Sequence, residues 1–540
     1  MRWLKAAIVF SAVLTGMALL KPTSSNEESI YQSLDTLAEI FALASAHGSP
    51  DLDNEAMVEG AISGLLEQLD PHSNYYDANR YETMREDQKG TFSGIGILVG
   101  FQEDQLTVVS PLAGAPAAQA GIRAGDIIFK IDGHLTADLD TFEAIRMLRG
   151  LEGTPVSVSV KREGLEDLLE FELIRAEIPS NNVRTSFMVD EKTGYIALKD
   201  FGETASQEVA DAMQRLSELG MRQVILDLRG NPGGLLPQAI EVAGLFMPGE
   251  KLVVSTQGRL KNANQKFYSQ KSSPVEQVPL IVAIDRGSAS ASEIVAGAIQ
   301  DHDRGLILGV NSWGKGLVQS VFPLVGGSKG LALTTARYYT PSGRNIQGDY
   351  HSLDDYYNPG SSAEQFFESG KATGKIFKTT LGREVLEARG ITPDVYISFP
   401  EVPEVVSRLE GRFGAFFKFA ATVQDKYPVQ ADWEADDTVI EDFRRYLTDK
   451  EIATEGFAAA TKEIREKLTY QMLHIADPEW AWYYLIKQDH QVQTALSLFP
   501  QAERLFDVYR GQASLPTDYS RALKKFSRLN QPEKLAEKAP

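Results

Sequence analysis

The 540-residue chain contains no cysteine. That excludes a thiol nucleophile, structural disulfides, thiolate metal sites and a lipidated N-terminal cysteine. Histidine is scarce, at 7 residues. Basic residues are outnumbered, 54 Lys and Arg against 74 Asp and Glu, and the formal net charge of −20 argues against a general nucleic-acid binder. No His-Glu-x-x-His helix and no Gly-x-x-x-x-Gly-Lys-Ser/Thr loop occurs, so zinc-protease and nucleotide-hydrolase chemistry lack support. Nothing in the sequence calls for a metal or a cofactor.

Long apolar runs are also missing, with one exception. Residues 6–20 are 15 uncharged, mostly apolar positions behind the basic segment Met1-Arg-Trp-Leu-Lys5 and ahead of Lys21-Pro22. A spanning helix needs about 20 residues, so this is signal-peptide design, with Gly16-Met-Ala18 as a small-x-small cleavage site. The expectation is export to the periplasm or cell envelope, with an uncleaved anchor in the inner membrane as the alternative. The rest is 43% hydrophobic and 24% charged, the composition of a folded soluble protein long enough for several domains.

Periodicity divides the chain into five parts: residues 1–25 as signal peptide or anchor, 26–89, 90–178, 179–400 and 401–540. Residues 26–89 carry apolar positions at helical spacing (Ile30, Leu34, Leu37, Ile40; Met57, Ile62, Leu65) and a turn at Asp70-Pro-His-Ser73. This helical region packs on the core or against a partner chain. Residues 90–178 read as a β-rich module: strands at 94–99, 106–109, 126–131, 156–161 and 169–175, and helices at 116–120 and 142–148. Glycines at 94 and 96 and the turn Gly121-Ile-Arg-Ala-Gly-Asp126 complete a resemblance to a PDZ domain. Such a module holds a peptide's terminal carboxylate on backbone N–H groups, here those of Gly94, Ile95, Gly96 and Ile97, and adds the peptide to a strand edge. From residue 194 strands and helices alternate, which implies a largely parallel sheet with chemistry at the carboxyl ends of its strands. Beyond residue 400, helices at 412–423, 438–447, 461–475 and 480–486 suggest packing or oligomerisation, and the Lys-, Glu- and Pro-rich terminus frays.

Two glycine-rich turns and one lysine carry the chemistry. Ser288, Ser290 and Ser292 stand in a small-residue loop before a helix starting near Ala291, where unpaired N–H groups and the helix dipole favour a nucleophile. Spacing does not choose among the three, and a serine-rich loop alone is more simply a set of caps and turns. Lys315, in Gly314-Lys-Gly316 beside Trp313 and Leu317, supplies a base where no histidine is placed to do so. An exposed lysine has only about one neutral molecule in a thousand at neutral pH, so burial must lower its pKa. Gln319, four residues on, lies within reach if residues 315–319 form a helical turn, whereas a strand places the two Cα atoms roughly 13 Å apart; a turn of helix is therefore expected. The turn Asn231-Pro-Gly-Gly234 aims the N–H groups of Gly233 and Gly234, with that of Ala291, at one spot as an oxyanion hole. His302 is about 18 Å along the helix from Ser290, too far for a Ser-His-Asp triad.

These residues together resemble the carboxy-terminal processing (tail-specific) proteases. The resemblance covers roughly residues 56–400 and includes Leu69-Asp-Pro-His-Ser73, Phe92-Ser-Gly-Ile-Gly-Ile97, Leu226-Asp-Leu-Arg-Gly-Asn-Pro-Gly-Gly234, Gly287-Ser-Ala-Ser-Ala-Ser-Glu293, Gly314-Lys-Gly316, Tyr338-Tyr-Thr-Pro-Ser-Gly343 and Thr392-Pro-Asp394. It implies Ser290 as nucleophile, Lys315 as general base and Gln319 as its positioning residue. It also implies an α/β crotonase-like core with an inserted β-rich PDZ domain and helical flanks. The partners it implies are protein substrates with unstructured C-terminal tails, further copies of the chain and an adaptor protein, but no nucleic acid. Trp313 stands where the family usually has Phe, and the segment after Pro400 exceeds what compact members carry. Arg149, in Leu148-Arg-Gly150, is the expected coupling residue between PDZ domain and active site. The competing readings are a non-catalytic PDZ scaffold or tail-binding chaperone and, by fold analogy alone, an acyl-CoA enzyme.

Overall fold

Short runs such as Val224-Ile-Leu226 and Leu280-Ile-Val-Ala-Ile284 are too brief for helices and apolar on both faces, the pattern of central parallel strands. The computed structural model describes residues 25–48, 53–102, 105–270, 278–324, 326–348, 375–387, 389–411 and 414–532. The expected signal segment and the terminal tail lie outside these residues. The chain groups into two compact units: residues 1–77 with 321–333, and residues 78–320 with 334–540.

In the first unit, helices α1 (Ser25–His47) and α2 (Asn54–Glu67) precede strand β1 (Asn74–Tyr76). The Asp53 side chain caps α2 by accepting from Glu55 N. Asp70 forms the expected turn, its Oδ1 accepting from the N–H groups of His72 and Ser73 at 2.8 and 2.9 Å. Leu34, Leu37, Ile40 and Leu43 on α1 are exposed.

The second unit opens with α3 (Ala78–Lys89) and the PDZ module: β2 (Thr91–Gly94), β3 (Ile97–Gln102), β4 (Gln105–Pro111), α4 (Pro116–Ala120), β5 (Ile127–Ile131), β6 (His134–Leu135), α5 (Thr141–Leu148), β7 (Pro155–Lys161), β8 (Leu169–Ile174) and β9 (Ala176–Pro179). The sheet runs β3-β4-β5-β7-β8, which leaves β3 at an edge. The single strand expected at 94–99 is broken. Ile95 turns inward at 2% exposure, and Gly96 adopts φ +72° with room for no side chain, since a Cβ there would lie 2.2 Å from that of Ala115. β2 consequently leaves the module's sheet and pairs with β9.

The largest α/β region follows: β10 (Val183–Met188), β11 (Thr193–Leu198), α6 (Ala205–Glu218), β12 (Gln223–Asp227), α7 (Leu236–Phe246), β13 (Leu252–Gly258), β14 (Gln265–Tyr268), β15 (Leu280–Ile284), α8 (Ala291–Asp301), β16 (Leu306–Gly309), β17 (Leu317–Pro323), β18 (Gly330–Tyr339), β19 (Lys375–Lys378), β20 (Glu384–Glu387) and β21 (Val395–Tyr396), of which six strands form its central sheet. Strand order is β10-β11-β12-β15-β16-β21, parallel except for β10. Alternate residues face opposite layers. Ile196, Val224, Leu226, Val282 and Ile307 join α6–α8 in one core, while Tyr195, Ile225, Ile281, Leu306 and Leu308 join a second.

That second core is completed from the far end of the chain. Helices α9 (Glu404–Gly411), α10 (Ala415–Val423), α11 (Asp437–Asp449) and α12 (Thr461–Ala476) build a cluster around Phe416, Phe419, Phe443 and Leu468. Beyond α13 (Pro478–Gln488), α14 (His490–Tyr509) and α15 (Tyr519–Leu529) lay Leu498, Phe499, Leu505 and Leu523 on the sheet. Sequence periodicity did not single out α9, α14 or α15. In α14 the obstacle is Pro500, which normally ends a helix by removing a hydrogen bond. Here the face carrying Val492, Ala495, Leu498, Phe499 and Ala502 is buried, and that packing outweighs the missing bond.

Candidate active site

Of the three candidate serines, two are tied into the backbone. Ser288 Oγ donates to Leu228 O at 2.8 Å and Ser292 Oγ to Asn231 O at 2.9 Å, both with side chains fully buried. Ser290 is only partly buried and caps α8 at φ 55°, ψ −109°, a left-handed conformation that strains a non-glycine residue. Its N–H donates to Glu293 Oε2 at 2.8 Å, so Ser290-x-x-Glu293 has the spacing and half the bonding of a capping box.

The turn after β12 abuts this serine. A Cβ on Gly233 would sit 2.8 Å from that of Ser290. The turn is anchored by Ala289 N to Asn231 O (3.0 Å) and Phe201 N to Gly233 O (3.0 Å). Gly233 N–H donates to Asn231 Oδ1 at 2.8 Å. In this arrangement it is not a free oxyanion donor, contrary to the sequence expectation, because the asparagine two residues earlier folds back on it. The N–H groups of Gly234 and Ala291 make no hydrogen bond among the described residues.

Lys315 is half-buried and donates from Nζ to Gln319 Oε1 at 3.1 Å. The pair meets without the expected helical turn. Residues 311–316 are irregular, and Gln319 lies in β17. Positions four apart in extended chain share a face, and two long side chains close the gap that the backbone leaves. The irregular loop is fastened by Glu293, which sequence reasoning passed over although the Ser-x-x-Glu spacing was visible. Fully buried, it accepts from Ser312 Oγ (2.6 Å), Gly314 N (2.7 Å) and Lys315 N (2.9 Å) besides Ser290 N. Burial pushes its carboxyl above the usual range, and these donors pull it only part of the way back. The Tyr338 hydroxyl sits against Ser290 O at 3.1 Å and against Lys315 O. Serine and lysine loops are thus bound to common groups, yet no hydrogen bond joins the Ser290 side chain to Lys315 among the described residues. His302 is engaged elsewhere, its Nε2 lying 2.7 Å from Leu252 O.

In the PDZ module, Gly94, Ile95, Gly96 and Ile97 line the break between β2 and β3, with Gly96 N–H making no hydrogen bond among the described residues. Arg149 follows α5. Its guanidinium lies 4.6 Å from the Phe92 ring centre, 3.4 Å from Glu86 Oε2 and 4.0 Å from Asp87 Oδ1. Burial raises the Glu86 carboxyl, and Arg149 opposes the shift.

Residues 192–354 match Peptidase family S41 and residues 107–162 match a PDZ domain. The chain is 41% identical over 348 residues to the carboxy-terminal-processing protease of Bartonella bacilliformis, covering 64% of this chain and 79% of that protein. It is 32% identical over 335 residues to a carboxy-terminal processing protease of Bacillus subtilis, covering 61% and 68% respectively. Among solved structures it is similar to a photosystem II D1 C-terminal processing protease, at 29% identity and TM-score 0.34 over 56% of this chain and 82% of that one. The partly buried serine at a strained helix cap, the lysine tied to the same carboxylate and the peptide-binding module are thus found in a chain that belongs to the carboxy-terminal processing proteases, serine-type peptidases of family S41 with a PDZ domain.

Proposed function

We propose that this peptidase cuts protein substrates near their C-termini by a serine–lysine mechanism, with the PDZ module holding the tail. The observation that carries the reading is the shared fastening of Ser290 and Lys315 to Glu293. Lys315, unprotonated, takes the Ser290 proton as Oγ attacks the scissile carbonyl, then returns it to the leaving amine. Gln319 orients the amine. Gly234 and Ala291 N–H groups meet the developing oxyanion, a contribution of roughly 3–4 kcal/mol per donor; Gly233 joins them only if Asn231 releases it.

Gly94, Ile95, Gly96 and Ile97 receive the tail's carboxylate, and the open edge of β3 pairs with its backbone. Arg149 relays occupancy. It pairs with α3, whose Gln88 O accepts from Glu203 N, and the neighbouring Phe201 is bonded to the turn carrying Gly233 and Gly234. The basic and apolar N-terminal segment supports export to the cell envelope, cleaved or retained as an anchor. Among the described residues no helix is long and apolar enough to cross a membrane. Exposed Leu34, Leu37, Ile40 and Leu43 support assembly with further copies of the chain, and an adaptor delivering substrates fits the same scheme.

The deciding experiment incubates purified protein with an unstructured, C-terminally labelled polypeptide. Ser290→Ala and Lys315→Ala should each lower turnover on the order of 10⁴-fold or more while tail binding persists. Equal turnover in Ser290→Ala would sink the mechanism, and tail binding without any turnover would favour the scaffold.

A further inference from the structure

Arg229 lies two residues beyond the end of β12 and leads into residues 230–234, the turn that abuts Ser290. Its side chain is 11% exposed and fully committed. Nε lies 3.0 and 2.9 Å from the two oxygens of Asp227, and Nη2 lies 2.6 Å from Asp227 Oδ2. Asp227 is held in turn by the buried Tyr195 hydroxyl at 2.6 Å. The remaining arm reaches the C-terminal helices, where Nη1 donates to Asp489 Oδ2 at 2.8 Å and to Gln491 Oε1 at 3.0 Å.

Both acceptors are themselves fixed. Asp489 caps α14 through Oδ1, which accepts from Val492 N at 2.8 Å. Gln491 is 1% exposed and donates from Nε2 to Ile397 O at 2.7 Å. Burial works against a charged Arg229, but the carboxylates of Asp227 and Asp489 outweigh it and keep the guanidinium protonated.

The turn beyond Arg229 needs such an anchor. Gly230, Gly233 and Gly234 adopt φ +65°, +110° and +144°, so this stretch has unusual backbone freedom to lose. Its downstream end is pinned on Phe201, which accepts from Leu235 N at 2.8 Å. Upstream, Gly230 N donates to Asp285 Oδ1 at 2.8 Å and Asn231 Nδ2 to Leu198 O at 2.7 Å, and Arg229 is the point at which the C-terminal helices add their own grip.

We propose that Asp489 and Gln491, at the N-terminus of α14, are positioning residues that act through Arg229 to orient the Gly234 N–H for the oxyanion. The inference rests on the serine-peptidase reading above. Neither residue touches the nucleophile or substrate. The C-terminal helices, by this account, belong to the catalytic unit, and displacing α14 changes turnover without involving the PDZ module.

The test uses full-length Asp489→Asn. Asparagine retains the cap on Val492, since it caps as well as aspartate, but removes the carboxylate facing Arg229. Hydrogen exchange of peptides spanning residues 228–236, kcat, KM and melting temperature are measured together. The expected result is faster exchange confined to that segment and a kcat lowered about tenfold with KM within about twofold of the parent. Asp489→Glu should recover most of the loss, and Arg229→Gln combined with Asp489→Asn should be no worse than Arg229→Gln alone. Unchanged exchange and kcat in Asp489→Asn would overturn the proposal. So would exchange rising along the whole of α14 with a falling melting temperature, which marks a cap of purely structural value. If the parent and Ser290→Ala are equally inactive, the peptidase reading fails, while exchange at 228–236 still decides the clamp.

Discussion

Glu293 shows how much one buried carboxylate can organise. Its two oxygens accept from Ser290 N, Lys315 N, Gly314 N and Ser312 Oγ. Glu293→Gln puts an NH₂ group where only acceptors fit, leaving at least one buried donor unsatisfied at about 1–3 kcal/mol. We expect kcat to fall on the order of 100-fold, more than the change in melting temperature suggests, because the ionised form carries a burial penalty that glutamine escapes. The pH dependence has a definite sign. A carboxyl raised in the folded state favours folding most when protonated, below its unfolded pKa, and loses that contribution as pH rises through its folded value. Catalysis needs the opposite form, so kcat should decline on acidification at a pH above the usual carboxylate range. Hydrogen exchange at residues 312–316 should rise over the same interval in the parent and not in Glu293→Gln. Exchange that ignores pH there would refute this role.

At the scale of elements, the break between β2 and β3 is where a strand gives way to the loop proposed to hold the substrate tail. Gly96→Ala forces a Cβ to within 2.2 Å of Ala115 at φ +72°. Overpacking of this kind costs about 1–3 kcal/mol. It should abolish binding of a fluorescent C-terminal peptide, read by anisotropy, while leaving cleavage of tail-less unstructured substrates nearly intact. Arg149 joins α5 to α3. Its ion pairs are partly exposed and individually weak. Arg149→Ala should therefore barely move the melting temperature but remove stimulation of cleavage by a free tail peptide; if basal and stimulated rates both stay as in the parent, Arg149 is not the relay. The 315–319 segment is instructive in another way. Spacing indicated a helix, whereas β17 and two long side chains achieve the same meeting in extended chain.

Across the whole molecule, the six-stranded sheet is covered on one face by α6–α8 and on the other by helices α14 and α15, which follow every strand they protect. Deleting residues 490–532 uncovers Tyr195, Ile225, Ile281, Leu306 and Leu308. At about 1.5–3 kcal/mol for each buried apolar side chain, that loss rivals the typical total of 5–15 kcal/mol. The truncated protein should be recovered insoluble or molten by near-UV circular dichroism, and a soluble, cooperatively melting fragment would contradict this layering.

The legible parts of this protein were those written in local chemistry. Apolar runs of four to six residues marked the parallel strands, glycine-rich turns marked their carboxyl ends, and the serine loop and Lys315 stood out by residue type. What remained hidden depended on distance along the chain or on competition between neighbours. α14 runs through Pro500 because burial of its face outweighs the missing hydrogen bond, and Gly233 looked like a donor until Asn231 claimed its N–H. The pairing of Arg229 with Asp489 could not be read locally, because nothing in either segment encodes the other. Residue types and spacing determined which groups are able to react. Tertiary packing decided which of them are held, by what, and in which direction, since only burial makes a lone carboxylate or guanidinium seek a partner from a distant part of the chain.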